Sequence, residues 1–164
     1  MIRHTARALC AATLVIAPLA LTATPAHAVT SCTVNGSPRT PDPMTHTIFG
    51  TAGSDNIRCT TVDAGDTVNG LGGNDYIVVS GAVNGDVAGG DGSDYIVTGT
   101  VFGAVAGGNG SDYIQTGAVA GGLVTGEAGN DVLRTGGNMG VVDGGIGWDS
   151  CRTAGGAPPV NCEG

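Results

Sequence analysis

Lysine is absent from this 164-residue chain, and phenylalanine, tryptophan and tyrosine together number only six. Fixed positive charge comes from six arginines, two of which, Arg3 and Arg7, stand at the amino terminus. All fourteen acidic residues lie after Ala28, so the chain from Val29 onward sets four arginines against fourteen acids, a formal charge of about −10. Such a surface repels nucleic acid and anionic lipid and attracts cations. Neither a nucleophile elbow nor an H-E-x-x-H helix is present, and the one histidine beyond residue 28 is His46. A polysaccharide-lyase-like enzyme, which needs a basic side chain beside its metal, is therefore poorly served, and the chain reads as non-catalytic. With so few aromatics and 31 glycines, a conventional layered core would be thin. Glycine also loses the most chain entropy on ordering, so something besides apolar burial must help to hold the fold.

Long apolar runs are lacking too. The single one, Ala8 to Leu21, follows the two arginines and ends in Ala26-His27-Ala28. It is too short to span a bilayer and has the grammar of a cleaved export signal. Residues 1–28 are accordingly read as a signal peptide, the product as secreted, and no membrane insertion is expected.

What the chain has in abundance is one motif: glycine, two residues, glycine, one residue, aspartate. It occurs as Gly50-Thr-Ala-Gly-Ser-Asp-Asn-Ile57, Gly70-Leu-Gly-Gly-Asn-Asp-Tyr-Ile77, Gly89-Gly-Asp-Gly-Ser-Asp-Tyr-Ile96, Gly107-Gly-Asn-Gly-Ser-Asp-Tyr-Ile114, Gly126-Glu-Ala-Gly-Asn-Asp-Val-Leu133 and Gly144-Gly-Ile-Gly-Trp-Asp-Ser-Cys151. Successive copies start 18 to 20 residues apart. A fixed period of this length marks a solenoid, in which no unit buries its own apolar face and neighbours complete it.

Between motifs lies a degenerate second half. In the third unit Val101 stands where glycine was, Gly103 where aspartate was, and Val105 keeps the aliphatic position; Val83, Gly85 and Val87 repeat the pattern. One half of each unit is a turn with a carboxylate and the other is packing. Helix is excluded by the glycine content and by the absence of a sustained 3.6-residue spacing, which leaves short strands. Ile77, Ile96, Ile114 and Leu133 should stack inward from coil to coil, opposite Val87, Val105, Val124 and Val142. Strand side chains alternate, so Tyr76, Tyr95 and Tyr113 should form an exposed ladder. Mutual stacking explains such a ladder, and a sugar- or partner-binding stripe is the other reading. The expected architecture is all-β: a right-handed parallel β-roll or β-helix of about six coils of 18–20 residues over residues 50–152. An amino-terminal cap would occupy 29–49 and a carboxy-terminal cap 153–164.

The same geometry pairs the cysteines. Four remain after residue 28, an even number in an exported chain. Cys59 follows the first motif and Cys151 ends the sixth, so five coil steps of about 4.8 Å place them roughly 24 Å apart, beyond the ~7 Å reach of a disulfide. Cys32–Cys59 and Cys151–Cys162 are the expected pairs, each tying an end segment to its terminal coil.

Glycines at positions one, two and four would let the backbone take positive φ and aim its carbonyls at a common point, while the aspartate adds a charged oxygen. Hard oxygen ligands in a turn suit calcium, and stacked turns would supply the six to eight that it takes. Gly89 to Val97 and Gly107 to Gln115 match every position of the G-G-x-G-x-D-x-aliphatic-x unit, and the chain thereby resembles the RTX, or hemolysin-type, calcium-binding repeat family over residues 50 to about 152. The resemblance implies a β-roll with Ca2+ between consecutive turns. Its aspartate ligands would be Asp55, Asp75, Asp94, Asp112, Asp131 and Asp149, and its carbonyl ligands would lie near Gly70, Gly72, Gly89, Asp91, Gly107, Asn109, Gly126 and Ala128. Gly85, Gly103 and Gly140 replace aspartate on the opposite edge, so about five ions are expected, all on one edge. The competing role for these aspartates is to cap turns by accepting backbone amides, and it weighs most at Asp55 and Asp149. A surface-adhesion, carbohydrate-binding or ice-binding solenoid is the alternative function, for which Ser80, Thr98, Thr116, Thr135 and Thr153 form a regular column. No macromolecular partner can be read from the sequence.

Overall fold

The computed structural model describes residues 30–163, so the expected signal peptide lies outside the described residues. These contain fourteen strands and no helix. In chain order the strands are β1 (Cys32–Val34), β2 (Ser37–Arg39), β3 (Thr47–Phe49), β4 (Asn56–Cys59), β5 (Thr67–Gly72), β6 (Tyr76–Val79), β7 (Asp86–Asp91), β8 (Tyr95–Thr98), β9 (Ala104–Asn109), β10 (Tyr113–Gln115), β11 (Leu123–Ala128), β12 (Val132–Asn138), β13 (Val141–Ile146) and β14 (Ser150–Gly156). From β4 to β14 the even-numbered strands form one parallel sheet, and from β3 to β13 the odd-numbered strands form a second. The chain alternates between the sheets, making a β-solenoid of about six turns.

Register follows the period of the sequence. Ile77 pairs with Ile96, Ile96 with Ile114 and Ile114 with Leu133, while Val87, Val105, Val124 and Val142 pair in succession across the other sheet. A one-residue slip would send every one of these side chains outward, so the alternation fixes the stacking. The expected isoleucine and valine columns are both present and 0 or 1% exposed.

A third column completes the interior. Val62, Val83, Val101 and Val119 are joined only by isolated parallel bridges, yet all four are fully buried. These are the position-four valines of the degenerate half-repeats, so replacing glycine there supplies the corner of the core. In the next coil the column passes to Asn138, which is 1% exposed. Its amide donates to the Ala157 carbonyl at 3.0 Å and its oxygen accepts from Gly140 N at 3.0 Å, so the buried polar group is satisfied.

At the amino-terminal end β1 and β2 form a hairpin, and β1 runs antiparallel to β4. The hairpin covers a sheet edge that would otherwise offer unpaired amides. The parallel sheet itself reaches further back than residue 50, because β3 pairs with β5 and Ile48 extends the valine column. At the other end β14 continues to Gly156, past residue 152. Both expected disulfides form, Cys32–Cys59 with Cα atoms 4.1 Å apart and Cys151–Cys162 at 5.7 Å.

Because each inward residue touches only its own and neighbouring coils, interior truncations should be felt strongly. Ile96→Ala should lower stability by about 3–4 kcal/mol in denaturant titrations of the calcium-supplemented protein. Tyr95→Ala, on the exposed face of the same strand, should cost about 1 kcal/mol.

Candidate metal centre: a buried aspartate column

Each repeat aspartate sits where an odd-numbered strand has ended and the next even-numbered strand is about to begin. The turn directs its side chain into the solenoid: Asp55, Asp75, Asp94, Asp112, Asp131 and Asp149 are all between 1 and 4% exposed. A carboxylate so buried must be paired, protonated or bound to a cation.

Pairing accounts for half of each group from Asp75 onward. Asp55 N donates to Asp75 Oδ1 at 2.8 Å, Asp75 N to Asp94 Oδ1 at 2.7 Å, and Asp94 N to Asp112 Oδ1 at 2.7 Å. Asp112 N and Asp131 N continue the series to Asp131 and Asp149, each at 2.8 Å. The amide-capping role is therefore real, but from Asp75 to Asp149 it acts between coils and uses one oxygen per residue. The Oδ2 atoms of Asp75, Asp94, Asp112, Asp131 and Asp149 are buried without any hydrogen-bond partner.

The glycine at position one makes room for these orphaned oxygens. A methyl group on Gly107 would collide with Asp112 Oδ2 and lie 2.9 Å from the Gly126 carbonyl oxygen. On Gly70, Gly89 and Gly126 it would strike the Oδ2 of Asp75, Asp94 and Asp131 together with the carbonyl oxygens of Gly89, Gly107 and Gly144. The cradle that a Cβ would fill is thus lined by a carboxylate oxygen of one coil and a carbonyl oxygen of the next. Positive φ is confined to positions two and four, as at Gly90 (114°) and Gly92 (130°), and is absent at position one. The expectation that all three glycines serve backbone conformation needs correcting: the first serves space.

Burial also disturbs the protonation equilibria. Desolvation pushes Asp75 up to about 6 and Asp112 up to about 7, and it raises Asp94 and Asp131 as well. The backbone amide that each accepts opposes the shift without cancelling it. Neighbouring carboxylates add to the rise at Asp75, Asp112 and Asp131. Without a counter-ion, the column holds negative charge at neutral pH at a free-energy cost.

Several expected ligands sit differently from their fellows. Both oxygens of Asp55 are occupied, Oδ1 by Asn35 Nδ2 and Oδ2 by the Thr51 amide and its hydroxyl, the last at 3.0 Å. The threonine that replaces glycine in the first motif is the sequence signal for this cap. Among the carbonyls, Asp91, Asn109 and Ala128 accept the amides of Gly73, Gly92 and Gly110 at 2.7–2.8 Å and hold the coils together. Those of Gly70, Gly89, Gly107 and Gly126 face the position-one cradles of the preceding coils, and Gly72 O shows no such approach. The opposite edge is not wholly free of carboxylates either, since Asp63 has a buried Oδ2 without a partner.

The tyrosine ladder is present, with Tyr76, Tyr95 and Tyr113 stacked at 5.4 and 4.8 Å and nearly parallel. Arg58 lies over Tyr76 at 5.4 Å and Arg134 over Tyr113 at 5.7 Å, so arginines occupy the outer faces. The Tyr113 hydroxyl donates to Gln115 Oε1 at 3.1 Å, and what the ladder leaves open is mainly ring edges, whereas sugar stacking needs an open face. The hydroxyls of Thr98, Thr116 and Thr135 turn back to the carbonyls of Gly99, Gly117 and Gly136, and these residues are buried. Together with Ser80 and Thr153 they do not make a uniform exposed hydroxyl array.

Among the described residues, no three His, Cys, Asp or Glu side chains converge on one point. A cation in the column would therefore be held by at most two carboxylates plus main-chain carbonyls. Comparison with protein-family models, characterised proteins and solved structures finds no match to this chain.

Two outcomes follow from this geometry. Gly107→Ala should cost at least about 2 kcal/mol although its φ suits alanine, because the methyl group invades the cradle; a denaturant midpoint within error of wild type would contradict this. The raised carboxyl groups favour the folded state while protonated, so their contribution is fully present below about pH 4 and is lost as pH rises through about 7. In chelator, circular dichroism should accordingly show more β-structure at about pH 4.5 than at about pH 8.

Proposed function

We propose that the protein is a secreted, non-catalytic calcium-binding β-roll whose folding is coupled to Ca2+. The observation that carries this reading is the column of five buried, partnerless Oδ2 atoms, with glycine carbonyls sharing the cradles of Asp75, Asp94, Asp112 and Asp131. All-oxygen donors of this hardness suit calcium and not zinc or copper. Asp75, Asp94, Asp112, Asp131 and Asp149 would hold the ions, with the carbonyls of Gly89, Gly107, Gly126 and Gly144. Asp55 would act as a cap.

The charge balance supports the same reading. About five divalent ions would nearly neutralise a chain carrying about ten negative charges, relieving the repulsion along the column. The nonapeptide pattern resembles the RTX calcium-binding repeat, and kinship with that family is part of the proposal. Export rests on the leader grammar and fits the two disulfides, which persist in oxidising compartments. For catalysis the repeat offers no lysine or histidine beside the column, and His46 lies apart, 64% exposed against Asp66.

The test is calcium titration of the disulfide-intact chain from Val29, followed by circular dichroism and calorimetry. β-Signal should be small in chelator at neutral pH and should grow at up to millimolar calcium, with about five ions bound. Equal β-content with and without chelator at neutral pH would overturn the coupling of folding to calcium.

A further inference from the structure

The carboxylate column does not stop at the sixth motif. Asp149 N, which would find no aspartate in a following repeat, donates to Glu163 Oε2 at 3.0 Å. This is the bond that each earlier aspartate amide makes to the next carboxylate along the column. The carbonyl side is copied as well. A methyl group on Gly144 would meet the Asn161 carbonyl oxygen, in the place that the position-one glycine carbonyl of the next coil takes in earlier repeats, and also Asp149 Oδ2 at 2.9 Å.

Residues 157–163 thus mimic a further turn without its sequence. In the motif the glycine and the aspartate are five residues apart, whereas Asn161 and Glu163 are two apart, which is why no repeat is legible there. The segment is placed by three constraints. Val160 forms a parallel bridge with Asp143, Glu163 N donates to Asp149 O at 2.8 Å, and Cys162 is bonded to Cys151. Asp149 itself is 1% exposed, and its Oδ2 has no partner.

We propose that Asp149 Oδ2, the Asn161 carbonyl and the Glu163 carboxylate form a separate calcium site closing the column, held in place by the Cys151–Cys162 disulfide. It rests on the calcium reading above and changes the register of the sites. The pair Asp55–Asp75 drops out because Asp55 is capped, and Asp149–Glu163 takes its place. Asp149 becomes an interior member of the column instead of its end.

The only tryptophan, Trp148, adjoins this site in sequence, whereas Tyr76, Tyr95 and Tyr113 adjoin Asp75, Asp94 and Asp112. Terbium(III), a luminescent stand-in for calcium, should therefore be sensitised selectively. Excitation at the red edge of the indole band reports the end of the column that shares Asp149, where Glu163→Gln alters only the closing site, and tyrosine excitation of a Trp148→Phe variant reports the interior sites. Glu163→Gln keeps an oxygen able to accept the Asp149 amide but removes the charge. It should weaken terbium binding in the tryptophan channel on the order of tenfold, while tyrosine-sensitised binding in the Trp148→Phe background stays unchanged. Asp55→Asn should leave the tryptophan channel unchanged. The double variant Cys151→Ser, Cys162→Ser, with β-signal retained at saturating calcium, should weaken the tryptophan channel alone. Tyrosine-sensitised binding with a tryptophan channel that is absent, or indifferent to Glu163→Gln, would overturn the closing site and leave the calcium roll standing. Absence of calcium-competed emission in both channels would overturn the roll as well.

Discussion

One bond repeated down the molecule sets the rest: a backbone amide of one coil donating to the aspartate of the next. It ties consecutive turns through the interior instead of along a surface, and it orients each carboxylate so that Oδ1 is used and Oδ2 is not. The cradle at position one, the unrelieved charge and the raised protonation equilibria of Asp75 and Asp112 all follow from that orientation. A column of this kind is unfavourable on its own, since buried carboxyl oxygens without partners cost more than exposed ones. The hydrophobic columns must offset that cost unless protons or cations remove it. With a core built mainly from isoleucine and valine and almost no aromatic volume, the margin is small.

The two halves of each unit divide the work physically. The sheet containing β6, β8 and β10 turns its tyrosines outward and its isoleucines inward, while the corner valines Val83, Val101 and Val119 fill the space that a second carboxylate turn would need. Charge is thereby concentrated along one side of the interior. Asp63 is the exception, in a turn of the first coil that is longer than its counterparts.

Much of this was legible because the period is nearly invariant. The isoleucine and valine columns, the tyrosine ladder and both disulfides follow from spacing alone, since a stacked coil leaves few ways to place a residue that recurs every 18 to 20 positions. The interior bonding was not legible. Nothing in a glycine-aspartate pattern distinguishes a carboxylate lining a turn from one driven inside, and the meaning of position one emerges only when the next coil's carbonyl is seen beside it. The cap on Asp55 left a trace, Thr51, that sequence marks only as an imperfection. Asn161 and Glu163 left none, because they reach their positions by tertiary contact and a disulfide instead of by motif spacing.

The two disulfides close loops at opposite ends, joining residues 27 and 11 positions apart, and neither spans the stack. Among the described residues, every covalent cross-link therefore lies outside the middle coils. Duplication or loss of one internal unit of DNA would lengthen or shorten the roll by a whole coil while leaving both end closures, the registers and the glycine cradles as they are. In such an architecture copy number is a heritable dial, and the number of buried aspartates would change with it by steps of one.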